Sequence, residues 1–182
     1  SDGTATTADN DYVPTSGTLV FGPGVSRQVF VVEINGDTDI ELDELFNVTL
    51  SNITGAASLE DTEATVSIEN DDNGIVSIDL AGASSLEGNA GTTPVSVAVT
   101  LSGGTSDADV TINYTLVDGT ATVADNDYSD AGGGAVTLPA NTTQADIVVN
   151  VIGDVNNEDD EQFSVQITSI DAAGRDVTLG DD

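Results

Sequence analysis

The residues best suited to chemistry in this sequence are carboxylates. The chain has 182 residues, of which 33 are Asp or Glu and only two are Arg or Lys, and it contains no His, Cys or Trp. Without imidazole, thiol or lysine amine, it offers no thiolate nucleophile, no Schiff base and no nitrogen and sulfur zinc site. A glycosidase can work with two carboxylates, but the sequence shows no aromatic platform for a sugar, so we predict that the chain is not an enzyme.

The acidic residues cluster in turns rather than along the apolar runs, which favours metal binding. Two carboxylates about 4 Å apart repel each other by about 4 kcal/mol at an effective dielectric constant of 20, so several on one rim require a cation. Ligands that are all oxygen select a hard metal, and flexible carboxylates suit Ca²⁺ with six to eight oxygens better than octahedral Mg²⁺. The clusters are Asp9 with Asp11, Asp37 with Glu41 to Glu44, Asp71 with Asp72, Glu87, Asp125 with Asp127, and Asp154 with Glu158 to Glu161.

The alternative reading is a solvated acidic surface that binds nothing specifically. This reading is preferred for acids outside the recurring positions, such as Glu33, Glu60 and Asp107. The net charge of −31 excludes nucleic acid and anionic membranes as partners, because such a surface repels phosphate. No apolar run approaches the length of a membrane span, so we expect no direct membrane insertion by this segment.

Two long motifs repeat along the chain. The segment Asp2–Tyr12 recurs as Asp118–Tyr128 with a single difference, and Gly36–Phe46 aligns with Gly153–Phe163. A spacing of 116 to 117 residues is the size of a domain, so the chain contains tandem copies of one module. We predict that residues 1–72 form the C-terminal part of a first module and that residues 73–182 form a second module without its last strand.

Strands are predicted wherever apolar residues alternate with small or polar ones. Short strands separated by Gly, Asp and Asn, with no helical stripe, predict an all-β chain of immunoglobulin-like antiparallel β-sandwiches, arranged as tandem modules that are both incomplete at the ends of the chain. The predicted strands are 29–34, 45–50, 64–68, 95–101, 110–116, 147–152 and 163–170.

Three motifs in this order resemble the Calx-β domain family. They are Asp-Gly-Thr-Ala followed by Asn-Asp-Tyr, an acidic loop from Asp to Glu-x-Phe, and the ending Ile-x-Asn-Asp-Asp at residues 68–72. The resemblance covers nearly the whole chain and implies an immunoglobulin-like sandwich that binds Ca²⁺ at one end. Its implied ligands are Asp11, Asp37, Glu41, Glu44, Asp71 and Asp72 in the first copy, and Glu87, Asp127, Asp154, Glu158 and Glu161 in the second.

Two departures from the family pattern affect the expected charge of the sites. Asn70 stands where the terminal run often begins with Asp, and Gly36 and Gly153 stand where a further Asp is common. Each site should therefore carry less negative charge than is usual for the family. By contrast, Asp2-Gly3 and Asp118-Gly119 are interpreted as turn formers, in which Gly supplies a positive φ.

These features predict calcium-binding repeats of a large extracellular or cell-surface protein with a structural or adhesive role. Calcium would stiffen the loops and the linker between modules, and the expected partners are neighbouring repeats of the same or another chain and a cell-surface or matrix ligand. One alternative is a calcium-sensing regulatory module of a membrane transporter. Another is a filament subunit assembled by β-strand exchange, because a sandwich that lacks strands exposes edges that accept them.

Overall fold

The computed structural model describes residues 1–78, 82–129 and 132–180, and it is all-β within these ranges. The described residues include no helix with the length and apolar character of a membrane span. The strands are β1 (Glu44–Thr49), β2 (Glu63–Ile68), β3 (Gly74–Ile78), β4 (Thr92–Ser102), β5 (Val110–Val117), β6 (Tyr128–Ser129), β7 (Gly134–Leu138), β8 (Gln144–Ile152), β9 (Ser164–Asp171) and β10 (Val177–Leu179).

The chain divides into two compact units whose bounds differ from those of the predicted repeats at residues 38–41 and at Asp72. The first unit is Ser1–Asp37 with Leu42–Asp71, and the second is Thr38–Glu41 with Asp72–Asp182. The four residues 38–41 therefore come from the first repeat but belong to the second unit.

The second unit is an immunoglobulin-like β-sandwich of two sheets. One sheet has the order β10-β3-β4-β8-β6 and the other has the order β7-β5-β9. Among the described residues, the strands pair in antiparallel fashion except β10 with β3, and an isolated parallel bridge joins Ile40 to Ser106. The alternation predicted from the sequence is borne out, because inward residues such as Val99 on β4 and Ile112 on β5 are fully buried between the sheets.

The first unit has one two-stranded sheet, in which β1 pairs with β2 in antiparallel register. Its small core centres on three buried side chains, Ala5, Tyr12 and Phe46. Six of the seven predicted strands are thus present within one to three residues of their predicted bounds.

The prediction of a strand at 29–34 is wrong, because this segment has no strand pairing beyond one isolated bridge between Tyr12 and Ile34. Its counterpart in the second repeat, β8, pairs along its whole length with β4. Residues 29–34 have no comparable partner strand among the residues that the structure describes. An alternating pattern does not make a strand unless a partner strand accepts its backbone hydrogen bonds.

Candidate metal centre

The repeated motif folds into the same loop in both units and fixes one carboxylate in each. In the first unit, the Thr6 N–H donates to Asp11 Oδ2 at 2.5 Å, and the Asp11 N–H donates to the Thr6 carbonyl at 3.1 Å. In the second unit, Asp127 makes the same two bonds with Thr122 at 2.6 and 3.2 Å. In each loop, the Oδ2 atom of the Asp side chain therefore accepts a hydrogen bond from the Thr backbone. The Oδ1 atom takes part in neither of these two bonds.

An aromatic stack anchors the same loop. Tyr12 stacks on Phe46 and Tyr128 stacks on Phe163, with ring centroids 4.4 Å apart in both pairs. The Tyr128 hydroxyl donates to Asp118 Oδ1 at 2.5 Å, and the Tyr12 hydroxyl makes the same bond to Asp2 at 2.6 Å. The bond to Asp2 is the largest cause that raises the pKa of Tyr12 to about 12.

The glycine in each Asp-Gly pair serves a close approach rather than the positive φ that the sequence suggested. Added Cβ atoms at Gly3 and Gly119 would overlap the backbone carbonyl oxygens of Leu45 and Gln162, and neither glycine has a positive φ. The left-handed conformation falls instead on Asn10 and Asn126, with φ of 73° and 72°. Asp2-Gly3 and Asp118-Gly119 are thus contact points at which the loop meets Leu45 in β1 and Gln162 shortly before β9.

Strand register brings three acidic loops of the second unit to the same end of one sheet. The start of β4 pairs with the end of β8 at Thr92 and Ile152, and β6 pairs with the same end of β8 at Tyr128 and Val151. The loop before β4, the loop before β6 and the loop after β8 therefore emerge together. These three loops carry Glu87, Asp127, and Asp154 with Glu158 and Glu161.

The five predicted ligands of the second unit form two groups that share one residue. Glu87, Asp154 and Glu158 each place a carboxylate oxygen within 4.8 Å of the other two, and so do Asp127, Glu158 and Glu161. Two oxygens bound to the same Ca²⁺ at about 2.4 Å are at most about 4.8 Å apart, so both groups fit this ion. The donor set is carboxylate oxygen alone, which suits a hard cation.

Gly153, which sequence reasoning treated only as a missing Asp, makes this approach possible. It is buried, and a Cβ added there would lie 2.5 Å from the Glu87 carbonyl oxygen and 2.8 Å from that of Gly88. The bare backbone lets the Glu87 loop come against the start of the acidic loop, next to Asp154. Asp154 is then held by Asn156, whose backbone and side-chain N–H groups donate to its two oxygens at 2.7 and 2.5 Å.

Glu158, whose carboxylate belongs to both groups, lies in surroundings that disfavour its ionised form. Desolvation raises the pKa of Glu158 above its ordinary value of 4.5, and the charges of Asp154 and Glu87 raise it further. Desolvation is also the largest cause of the raised pKa of Glu161, followed by the charge of Asp127. Both shifts are those expected of carboxylates crowded without a counter-ion.

The raised pKa of Glu158 predicts a pH dependence of stability in the absence of metal. A carboxylate with a raised folded-state pKa keeps its proton where the unfolded chain has lost it, so stability falls as pH rises from 4.5 through the raised value. We expect the melting temperature of the wild type, relative to that of Glu158→Gln, to rise as pH is lowered from 7 toward 4.5. Calorimetry in chelator at constant ionic strength measures this difference.

The control is Asp159→Asn, which removes the same charge from a neighbouring residue that belongs to neither group. The difference in melting temperature between the wild type and each variant is compared as a function of pH. If it varies with pH in the same way for both substitutions, then total charge, and not the position of Glu158, governs the effect.

In the first unit, the carboxylates of Asp11 and Glu44 have oxygens within 4.8 Å of each other. Asp11 is buried and Glu44 is half-buried. Glu41 is half-buried and lies in the segment 38–41 that belongs to the second unit. Within the described residues, Asp37, Asp71 and Asp72 join no group of three carboxylates at this spacing, and their role as ligands stays a prediction.

Comparison with known proteins agrees with the repeat structure. The family model of the Calx-beta domain matches residues 1–72 and again residues 69–181. A crystal structure of CBD12 from CALX1.2 is 29% identical over 95% of this chain, with a TM-score of 0.42, and one of the calcium binding domain CBD12 of CALX1.1 is 28% identical over 94%, with a TM-score of 0.40. The chain spans only 66% and 64% of the length of those two chains. The family matches, which together cover nearly every residue, show that the chain belongs to the Calx-beta domain family.

Proposed function

We propose that this chain is a calcium-responsive tandem module whose second unit binds Ca²⁺ at the end of the sandwich where its three acidic loops meet. The observation that carries the proposal is the position of Glu158, which belongs to both groups of three carboxylates. A cation bound at this residue would join the three loops that strand register brings together. Membership of the Calx-beta family supports the same assignment.

In this proposal the protein residues have three roles. Asp127 is held by the repeated loop, and Asp154 is held by Asn156, so both present oxygens in a fixed direction. Glu158 and Glu161 follow in the acidic loop and complete the two groups. A bound calcium ion supplies positive charge that offsets the repulsion among these carboxylates. Loops that repel one another without the ion then become ordered around it.

The proposed consequence is a change in the stiffness of the array. The first repeat ends in the acidic run Asp71-Asp72, directly before β3 of the second unit. If calcium also binds the predicted ligands of the first repeat, it restricts the linker between repeats. The neighbouring repeats are thus the partners through which ion binding is transmitted.

Calcium should stabilise the chain in proportion to its occupancy. At ten times the dissociation constant, each site should add about 1.4 kcal/mol to the free energy of unfolding, provided that the unfolded chain does not bind the ion. Isothermal titration gives the affinity and stoichiometry, and melting curves with and without chelator give the stabilisation. Mg²⁺ at equal concentration is the control, and we expect it to stabilise less because it requires a tight octahedral site. Identical melting curves in calcium and in chelator would contradict the proposal.

A second candidate is a structural or adhesive array outside the cell, in contact with a cell-surface or matrix ligand. The excess of 33 acidic over two basic residues favours it, because such a surface keeps a long exposed array soluble. The affinity discriminates between the candidates. A sensor should bind with a dissociation constant of about 10⁻⁷ to 10⁻⁵ M, whereas an extracellular module should require about 10⁻⁴ to 10⁻³ M.

A further inference from the structure

The second unit contains a short strand-like segment that the second repeat does not encode. Ile40, in the segment Thr38–Glu41, is fully buried and belongs to the same core cluster as Val76 and Leu101. Its backbone N–H donates to the Thr105 carbonyl at 2.7 Å, and it forms a parallel bridge with Ser106. The segment is therefore held both by backbone pairing and by an apolar side chain.

Two glycines of the second repeat shape the groove that receives this segment. A Cβ on Gly74 would lie 2.7 Å from Ile40 Cδ1 and 2.8 Å from Leu101 Cδ1, so the absence of a side chain at Gly74 leaves the space for Ile40. A Cβ on Gly104 would overlap the Thr38 carbonyl oxygen. Neither glycine has a positive φ, so the close contacts explain them better than backbone conformation does.

Polar and charged groups match the acidic residues that flank Ile40. The Thr105 hydroxyl donates to Asp39 Oδ1 at 2.7 Å. Arg175 is the only basic residue of the second repeat, and it makes a bidentate pair with Asp107 in the loop next to this groove. The bond to Asp107 raises the pKa of Arg175, and the charge of Glu41 adds to the shift.

We propose that the second repeat has a binding groove, built by Gly74, Gly104–Ser106 and Arg175, whose ligand is the Ile-centred acidic segment of the preceding repeat. The occupant is residues 38–41 of this chain. The second repeat then depends on a segment of its neighbour to complete its core, so it is not an independent folding unit by itself. This inference does not require calcium and goes beyond the proposed function.

The sequence of the second repeat indicates that the groove is selective. With the alignment of Gly36–Phe46 to Gly153–Phe163, Ile40 corresponds to Asn157. An amide in place of Ile40 would lose its polar partners on entering an apolar groove. The segment 155–158 therefore cannot serve as the same ligand for a groove of this type, and the pairing is specific to the first segment.

Hydrogen exchange of the full 182-residue chain tests the proposal. Ile40→Asn installs the residue of the second repeat, and it should speed exchange about 30-fold or more at the amides of Gly74, Leu101 and Asn141, which are hydrogen-bonded within the second unit. Ile40→Val removes one methylene and should speed exchange at the same three amides about 2- to 10-fold. The amides of Ala5 and Leu50 in the first unit should keep their rates.

Two further variants distinguish loss of the contact between segment 38–41 and the groove from a general loss of stability. Gly104→Ala blocks the Thr38 carbonyl without altering the segment and should reproduce the pattern of Ile40→Asn. Leu42→Asn makes a comparable change at an exposed residue two positions away and should leave the second-unit amides unchanged. Unchanged second-unit exchange in Ile40→Val and Gly104→Ala, or equal acceleration in both units, would overturn the proposal.

Discussion

Glu158→Gln should lower the calcium affinity of the second unit about 100-fold or more. Removing a residue that hydrogen-bonds to a metal ligand typically lowers metal affinity about 10- to 100-fold, and Glu158 belongs to both groups of proposed ligands. The substitution keeps the size of the side chain and removes its charge. Isothermal titration of the full chain should show weaker binding and, where both groups hold an ion, a smaller number of ions bound.

The matched control is again Asp159→Asn, which lowers the negative charge of the same loop by the same amount. We expect it to change the affinity only slightly, because a charge outside the two groups acts through solvent and is screened by salt. An equal loss of affinity in both variants would indicate that the loop attracts calcium as a diffuse acidic surface, without defined coordination.

Tyr128→Ala should destabilise the second unit by about 3–5 kcal/mol, the usual cost of truncating a buried aromatic side chain. Tyr128 is among the largest fully buried residues, and its ring joins the loop before β6 to Phe163 at the start of β9. Loss of the ring also frees Asp127, so calcium affinity should fall together with stability. Urea denaturation in chelator measures the first effect, and calcium titration measures the second.

Tyr128→Phe separates the ring from its hydroxyl. It keeps the stack on Phe163 and removes the hydrogen bond to Asp118, which also accepts from the Val123 N–H at 3.2 Å. We expect a loss of about 1.5 kcal/mol, the lower end for a bond to a charged group. A loss as large as that of the Ala variant would show that the hydroxyl, and not the stack, anchors the loop.

The recurring motifs were sufficient to predict the fold class and most of the strands. Alternation of apolar residues located β4, β5, β8 and β9, because each of these strands has its partner within the chain. The same reasoning failed at residues 29–34, where the pattern is present but no described strand pairs with the segment. Strand formation is a property of pairs of segments, so a pattern read in one segment cannot predict it alone.

The candidate site also contains residues that the sequence predicted and a residue that it did not. Recurrence in phase predicted Asp127, Glu158 and Glu161 as ligands, and in the structure their carboxylates lie close together. Gly153 was missed because its importance depends on the Glu87 backbone, which is distant in sequence. A glycine directly after a predicted strand, beside a predicted ligand, was the signal available in the sequence.

The sequence by itself determined that the chain is acidic, repeated and built of strands, because composition and local alternation are properties of short segments. Only the tertiary structure decided which carboxylates lie close together and that residues 38–41 belong to the second unit. The physical reason is the same in both cases. Convergence of loops and burial of Ile40 depend on strand register and on space left by glycines, and both involve residues far apart in the chain.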